Sequence, residues 1–230
     1  MILICSRTTR GAALLAAVVV LLAGAPPQGH SQTVSLPEPS RDGQVSVEDA
    51  IHNRRSIRDF DERSLTLAEV GQLLWAATGV TVDGVSGPTR AAPSAGGLYP
   101  LTAYVVAGNV EELPPGVYRY LWRDHRLRRL RAGDLREDLH RAALGQRAIA
   151  GAPATIVLGA DYAVTRMRYG PRGVERYVHM DAGHAAQNVA LQAEALGLGL
   201  VTIGAFNDDQ VKSRLDLDTE PLYLMPVGQR

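Results

Sequence analysis

With 230 residues, the chain is long enough for one domain with a full hydrophobic core and a terminal extension. Its 24 basic and 24 acidic side chains cancel, which excludes the broad positive field that recruits nucleic acid. The single cysteine, Cys5, excludes an internal disulfide framework, and the six histidines are scattered without metal-ligand spacing, so no metal site is expected.

Residues 1–32 read as a signal peptide or N-terminal anchor. Arg7 and Arg10 precede an uncharged apolar run from Gly11 to Ala25, followed by Pro26-Pro27 and small polar residues. The run is short for a bilayer span, and neither candidate cleavage position, near Ala25 or near Ser31, is clean, which leaves an uncleaved anchor as the alternative. Ser6-Arg7-Thr8-Thr9-Arg10 lacks the adjacent arginine pair of twin-arginine export, so the route stays open. The expected location is exported: periplasmic, or held on a membrane by this segment.

Residues 33–45 are polar and contain proline, as a tether does, and the folded domain is expected over 46–230. Ser46-Val-Glu-Asp49 has capping-box form and Ile51 follows Val47 on one face, so a short helix leads into Arg54-Arg55-Ser56-Ile57-Arg58. Thr66-Leu-Ala-Glu69 is a second capping box. Leu67, Val70, Leu73, Leu74 and Ala77 then recur at helical spacing up to Gly79, marking a core helix. Residues 80–91, with Gly84, Gly87 and Pro88, read as a mobile segment, and 101–107 as a buried strand. Residues 116–121 and 125–130 form a hairpin around Arg123-Asp124, its arginines alternating with Leu127 and Leu130 as the wet face of a strand. Asp134 caps a helix through 144, and 154–160 is another core strand.

Residues 166–173 are basic, aromatic and turn-rich, which suits a loop facing substrate. The longest helical pattern runs from 174 to 196. Its small residues, from Ala182 to Ala195, admit a second helix at close range, as in a central or interface helix. Gly197-Leu-Gly199 ends it before a strand at 200–203; a short helix from Asp208 to Arg214 and a strand at 222–227 complete the chain. Helices mixed with hairpin-connected strands give an α+β fold, a sheet with helices packed on it.

Three stretches carry chemistry. Three guanidiniums and a hydroxyl in Arg54, Arg55, Ser56 and Arg58 match phosphate oxygens, the competing reading being a solvated basic turn paired with Asp59, Asp61 and Glu62. In the loop 90–100, Pro93 and Pro100 stiffen the ends while Gly96 and Gly97 let backbone approach something large and flat. Ser94 adds a hydroxyl and Arg90 a permanent charge. The backbone N–H groups of Gly204 and Ala205, just past a strand, suit contact with a ring atom.

Together these stretches resemble the nitroreductase family of FMN-dependent oxidoreductases, and most closely its SagB-type, azoline-oxidising branch. The matching motifs are Arg54-Arg-Ser-Ile-Arg58, Leu73-Leu-Trp-Ala-Ala-Thr-Gly79, Ala92-Pro-Ser-Ala-Gly-Gly-Leu-Tyr-Pro100, Leu113-Pro-Pro-Gly-Val-Tyr118, Asp181-Ala-Gly-His-Ala-Ala-Gln-Asn188 and Ala195-Leu-Gly-Leu-Gly199, in family order. The resemblance implies a mixed or antiparallel central sheet and a homodimer built on the long helix, with FMN at the subunit interface. It further implies that Arg54, Arg55, Ser56 and Arg58 hold the FMN phosphate, with Arg230 as a further basic contact. Pro93, Ser94, Ala95 and Gly96 would line the ring and ribityl chain, and Gly204 and Ala205 would address the ring's reactive edge. Arg168-Tyr169 stand where the azoline-oxidising branch has a Lys-Tyr pair, which makes them the candidate catalytic pair. The implied activity is ping-pong hydride transfer with a small organic molecule; the electron donor is left open between NAD(P)H and, because of the leader, a quinol. Azoline dehydrogenation in peptides and a non-catalytic flavin-binding module are the alternatives.

Overall fold

The computed structural model describes residues 32–84 and 87–230; apart from Gln32, the expected leader lies outside the described residues. Nine strands occur among the described residues: β1 (Thr33–Ser35), β2 (Val80–Gly84), β3 (Gly87–Arg90), β4 (Leu101–Ala107), β5 (Gly116–Leu121), β6 (Arg126–Ala132), β7 (Ala154–Ala160), β8 (Leu198–Leu200) and β9 (Glu220–Gln229). Seven of them form one sheet in the order β1-β6-β5-β4-β7-β9-β8, every neighbouring pair antiparallel. The helices are α1 (Val47–Asn53), α2 (Leu67–Thr78), α3 (Arg136–Ala142), α4 (Arg147–Gly151), α5 (Tyr162–Arg172), α6 (Val178–Ala195) and α7 (Asp208–Leu215).

Alternation along β4 explains the layering. Leu101, Ala103 and Val105 enter one core with α2 and α6, while Tyr104 and Val106 enter a second core with α3, α4 and α7. A sheet covered on both faces needs apolar residues at both parities, so β4 and β7 read as unbroken apolar runs. The fold is α+β, as expected.

Helix α2 starts where the capping box placed it. Thr66 Oγ1 accepts from Glu69 N (3.2 Å), and Glu69 Oε2 accepts from Thr66 N (2.8 Å). Helix α6 packs its buried alanines against α2 and the sheet of its own protomer, so those small residues serve the intramolecular core, while His184 and Gln187 point outward. Its first turn also differs from expectation: Gly173–Tyr177 is a π-helical turn, entered through a kink at Gly170 and Pro171.

Two stretches read as loose contribute strands. Residues 80–84 and 87–90 pair as the antiparallel ribbon β2–β3. The expected tether 33–45 contributes β1 to the sheet and buries Leu36, and Gln72 grips it further on by donating to Ser40 O (2.9 Å) and accepting from Ser40 N (2.8 Å). This strap docks through its backbone, which a polar side-chain composition does not reveal. His125 locks it at Pro37: because a carbonyl only accepts, Nε2–H donates to Pro37 O (2.8 Å), and Nδ1 accepts from the Tyr120 hydroxyl (2.8 Å).

Burial holds His125 below its ordinary range, outweighing the opposing pull of the Pro37 carbonyl. The fold therefore favours the neutral ring. Its contribution is complete above about pH 6.5 and is lost as pH falls through the folded value. Urea midpoints should fall on acidification below that pH, and H125Q should flatten the slope. In the core, Leu74→Ala should cost about 2–5 kcal/mol and Thr66→Ala about 1 kcal/mol, both read from urea unfolding.

Candidate active site

The arginine turn owes its position to β8. Helix α1, capped by Ser46, ends at Arg54, and the chain continues extended with Ile57 N donating to Leu200 O (3.0 Å) and Ser56 bridging Leu200. A Cβ at Gly199 would stand 2.7 Å from Ile57 Cγ2, so glycine there lets the turn lie against the strand. Arg55, Ser56 and Arg58 are exposed and Arg54 is half-buried. None of the three arginines forms an ion pair among the described residues: Asp59 pairs with Arg147 (3.7 Å) and Asp61 with Arg63 (3.6 Å). Arg55 Nη1 instead donates to the carbonyls of His52 (2.7 Å) and Arg54 (2.9 Å). The self-neutralised turn is thus not what forms; three uncompensated guanidiniums stand beside one hydroxyl.

Just past β8, Ile203 exchanges hydrogen bonds with Leu224, and the chain then opens at Gly204 and Ala205, both exposed. Gln146 Nε2 donates to Ala205 O (2.8 Å), steadying this exit. The β8–β9 pairing of Leu198 with Gln229 brings Arg230 toward the arginine turn, but its guanidinium is engaged by Glu194 in a bidentate pair (2.9 and 2.8 Å) that raises its pKa. Arg230 therefore does not join the free cations of the turn.

The Pro93 loop is organised by a residue that sequence reasoning missed. Asp181, in the first turn of α6 and 4 % exposed, accepts from Ser94 Oγ (2.6 Å) and from Ala95 N (3.3 Å). Ser94 Oγ in turn accepts from Tyr99 N (2.9 Å). The Ser94 hydroxyl is therefore committed to the loop's own architecture, and the outward surface is left to Pro93, Gly96 and Gly97. Arg90 likewise turns inward. Its guanidinium lies over Trp122 (3.9 Å) and Tyr99 (4.9 Å), Nη1 donates to Leu101 O (3.3 Å), and burial lowers its pKa to about 10.

Gly96, at φ +63°, faces the candidate catalytic pair: an added Cβ would meet Tyr169 Oη at 2.5 Å and Arg168 Nε at 3.3 Å. Tyr169 in turn meets Tyr177 edge-on at 5.0 Å. The stretch 166–173 is therefore not a free loop but the end of α5, laid against the Pro93 loop.

The structure brings the site residues together as two separate groups. The Pro93 loop and the Arg168-Tyr169 pair gather at Asp181, whereas the arginine turn is held on β8 at Leu200. Helix α1, which leads into that turn, borders a groove lined by Leu191, Gln192, Asn188 and Ala91, with Asn188 Nδ2 donating to Ala91 O (3.0 Å).

The nitroreductase family model matches residues 51–229. The chain belongs to the nitroreductase family. A Methanocaldococcus jannaschii protein named as a nitroreductase is 40% identical over 202 residues, covering 88% of this chain and 98% of its own length. The trifolitoxin operon protein TfxC of Rhizobium leguminosarum bv. trifolii is 29% identical over 209 residues, 84% of this chain and 58% of TfxC. The crystal structure of a Ralstonia eutropha protein described as a nitroreductase matches with TM-score 0.74 at 32% identity, covering 87% of this chain and 91% of that one. Nitroreductases generally bind FMN and are typically homodimers acting on small molecules, and the likeness to TfxC agrees with the SagB-type branch.

Asp181→Ala should destabilise the protein by about 1–3 kcal/mol, since it leaves the Ser94 hydroxyl and the Ala95 N–H without their acceptor. Hydrogen exchange should accelerate at 94–99 first, while α2 stays protected.

Proposed function

We propose that the chain is an FMN-dependent oxidoreductase whose flavin sites are each built by two copies of it. Its reaction is a ping-pong hydride exchange with a small organic electrophile such as a quinone or nitroaromatic. The observation that carries this is a pair of complementary surfaces held at different places in the fold, the arginine turn on β8 and the Pro93 loop on α6. One half offers uncompensated cations and a hydroxyl for a phosphate; the other offers a glycine-bearing backbone surface for a flat ring. A two-fold dimer sets each half against its complement on the partner. Val45, Val47 and Ile51 beside the arginine turn are exposed apolar side chains that such a contact would cover.

Arg54, Arg55, Ser56 and Arg58 would hold the FMN phosphate, because a dianion meets forked donors with no carboxylate competing for them. Pro93, Ala95, Gly96 and Gly97 would support the ring, with Ser94 holding the loop's shape through Asp181. Gly204 and Ala205 would offer backbone N–H groups at the ring edge. When bound, FMN supplies the hydride chemistry; the protein supplies orientation and exclusion of water.

Arg168 stays charged at any working pH and cannot serve as a general base. Tyr169, with its hydroxyl against Gly96, orients substrate or holds its proton. The TfxC likeness brings a second reading, dehydrogenation of an azoline ring in a peptide. That reaction requires a proton acceptor, which would fall to Tyr169 alone. The leader motivates one more proposal: an exported protein that takes electrons from a membrane quinol or a partner redox protein. Stopped-flow reduction that is faster with NADPH than with any quinol would rule this donor out.

The phosphate assignment predicts that the R55A/S56A double variant remains a folded dimer but is isolated with little FMN, as read by visible absorption and cofactor release. Full flavin content would refute it. The shared-site reading predicts that I51E elutes as a monomer in light-scattering chromatography and loses flavin together with the dimer; a flavin-loaded monomer would overturn that reading.

A further inference from the structure

The arm from α5 through the π-helical turn holds a second group of uncompensated cations. Arg166, Arg168, Arg172 and Arg176 are exposed and form no ion pair among the described residues. Two of them are held in place. Arg168 lies over the Tyr169 ring (5.7 Å), with Nε close to Gly96. Arg172 lies over the Tyr177 ring (5.8 Å), and its Nε donates to the Tyr177 hydroxyl (2.9 Å). Because Tyr169 and Tyr177 meet edge-on, the two guanidiniums and two rings form one cluster at the Pro93 loop. The backbone is bent to place it: Gly170 takes φ +60° and ψ −148°, and the π-helical turn follows at once.

Guanidiniums held beside aromatic rings in this way keep terminal N–H donors for a further acceptor, and the rings offer apolar edges to a planar molecule. From this cluster, and resting on the oxidoreductase reading above, we infer that the substrate is an aromatic carboxylate. Its ring packs against Tyr169 and Tyr177, and its carboxylate is bound by Arg168 and Arg172. Selectivity for charge thus sits on the arm, apart from the cations assigned to the cofactor phosphate.

The test compares two probes of nearly the same shape, 4-nitrobenzoate and 4-nitrobenzamide, binding by calorimetry to the full chain after its FMN content is measured. The loaded protein should bind the carboxylate about 10-fold tighter or more, the worth of one charge-assisted hydrogen bond, and added salt should shrink that preference. R172Q and R168Q should each reduce the ratio of the two dissociation constants, with R172K retaining part of it. Equal affinities in the loaded wild type, or a ratio untouched by both substitutions, would overturn the inference and leave the oxidoreductase reading standing. A chain that takes up no FMN would overturn that reading, and this inference with it.

Discussion

A buried carboxylate holds the Pro93 loop in shape. Taking a carboxylate out of water costs several kcal/mol unless donors replace the lost hydration, and Asp181 receives an O–H from Ser94 and an N–H from Ala95. The dependence runs both ways. Asp181 is tolerable on α6 only because the loop supplies those donors, and the loop has its shape only because α6 supplies the acceptor. Tyr99 N–H, donating to the same Ser94 oxygen, closes the loop on itself. With these groups satisfied inward, Gly96 is free to press against Tyr169, and this contact ties the α5 arm to the loop.

What could be read in the sequence was local chemistry. Ser46 and Thr66 announce helix starts because a cap and its partner lie three residues apart; Thr66 forms the full capping box, whereas Ser46 only accepts from Asp49 N and the reciprocal bond is not made. The hairpin β5–β6 follows from alternation and a turn. The strap at 33–45 escaped because its anchors are backbone groups and the distant Gln72, neither of which leaves a periodic trace. The start of α6 was misplaced because a π-helical turn keeps the composition of a helix while shifting its phase. In the site, the arginine turn and the Pro93 loop stood out as motifs. Their control elements did not: Asp181 is 87 residues from Ser94, and the Glu194 that occupies Arg230 is 36 residues away. Such pairs exist only once the sheet has brought α6 alongside both.

Zero net charge conceals an uneven distribution. Arg119, Arg136, Arg141, Arg214 and Arg230 all have carboxylate partners, so their charge is settled within the fold. Among the described residues Arg54, Arg55, Arg58, Arg168 and Arg172 have none, as is also true of exposed Arg41, Arg123 and Arg131; the first five fall in two groups, one in each half of the proposed site. An exposed cation keeps its hydration, so leaving it unpaired costs the fold little, while pairing it would place a competitor in front of any anionic ligand. Asp59 and Asp61 are adjacent in sequence to the arginine turn, yet both pair elsewhere.

Helix α6 also bears on the proposal that two chains share each site. Its alanines are close-packed on α2 and the sheet, and an interior packed to that density does not shorten or fold back to bring its two ends together. The Pro93 loop, held on α6 by Asp181, and the arginine turn, held on β8 at Leu200, are accordingly anchored surfaces. A ligand with a phosphate at one end and a flat ring at the other needs both kinds of surface within its own span. Two-fold association satisfies that need without any internal motion, since the operation that sets one protomer's cations against its partner's loop does the same in reverse. In the proposed dimer, anchored surfaces of this kind would fix the register between protomers, and assembly would be the step that creates the site.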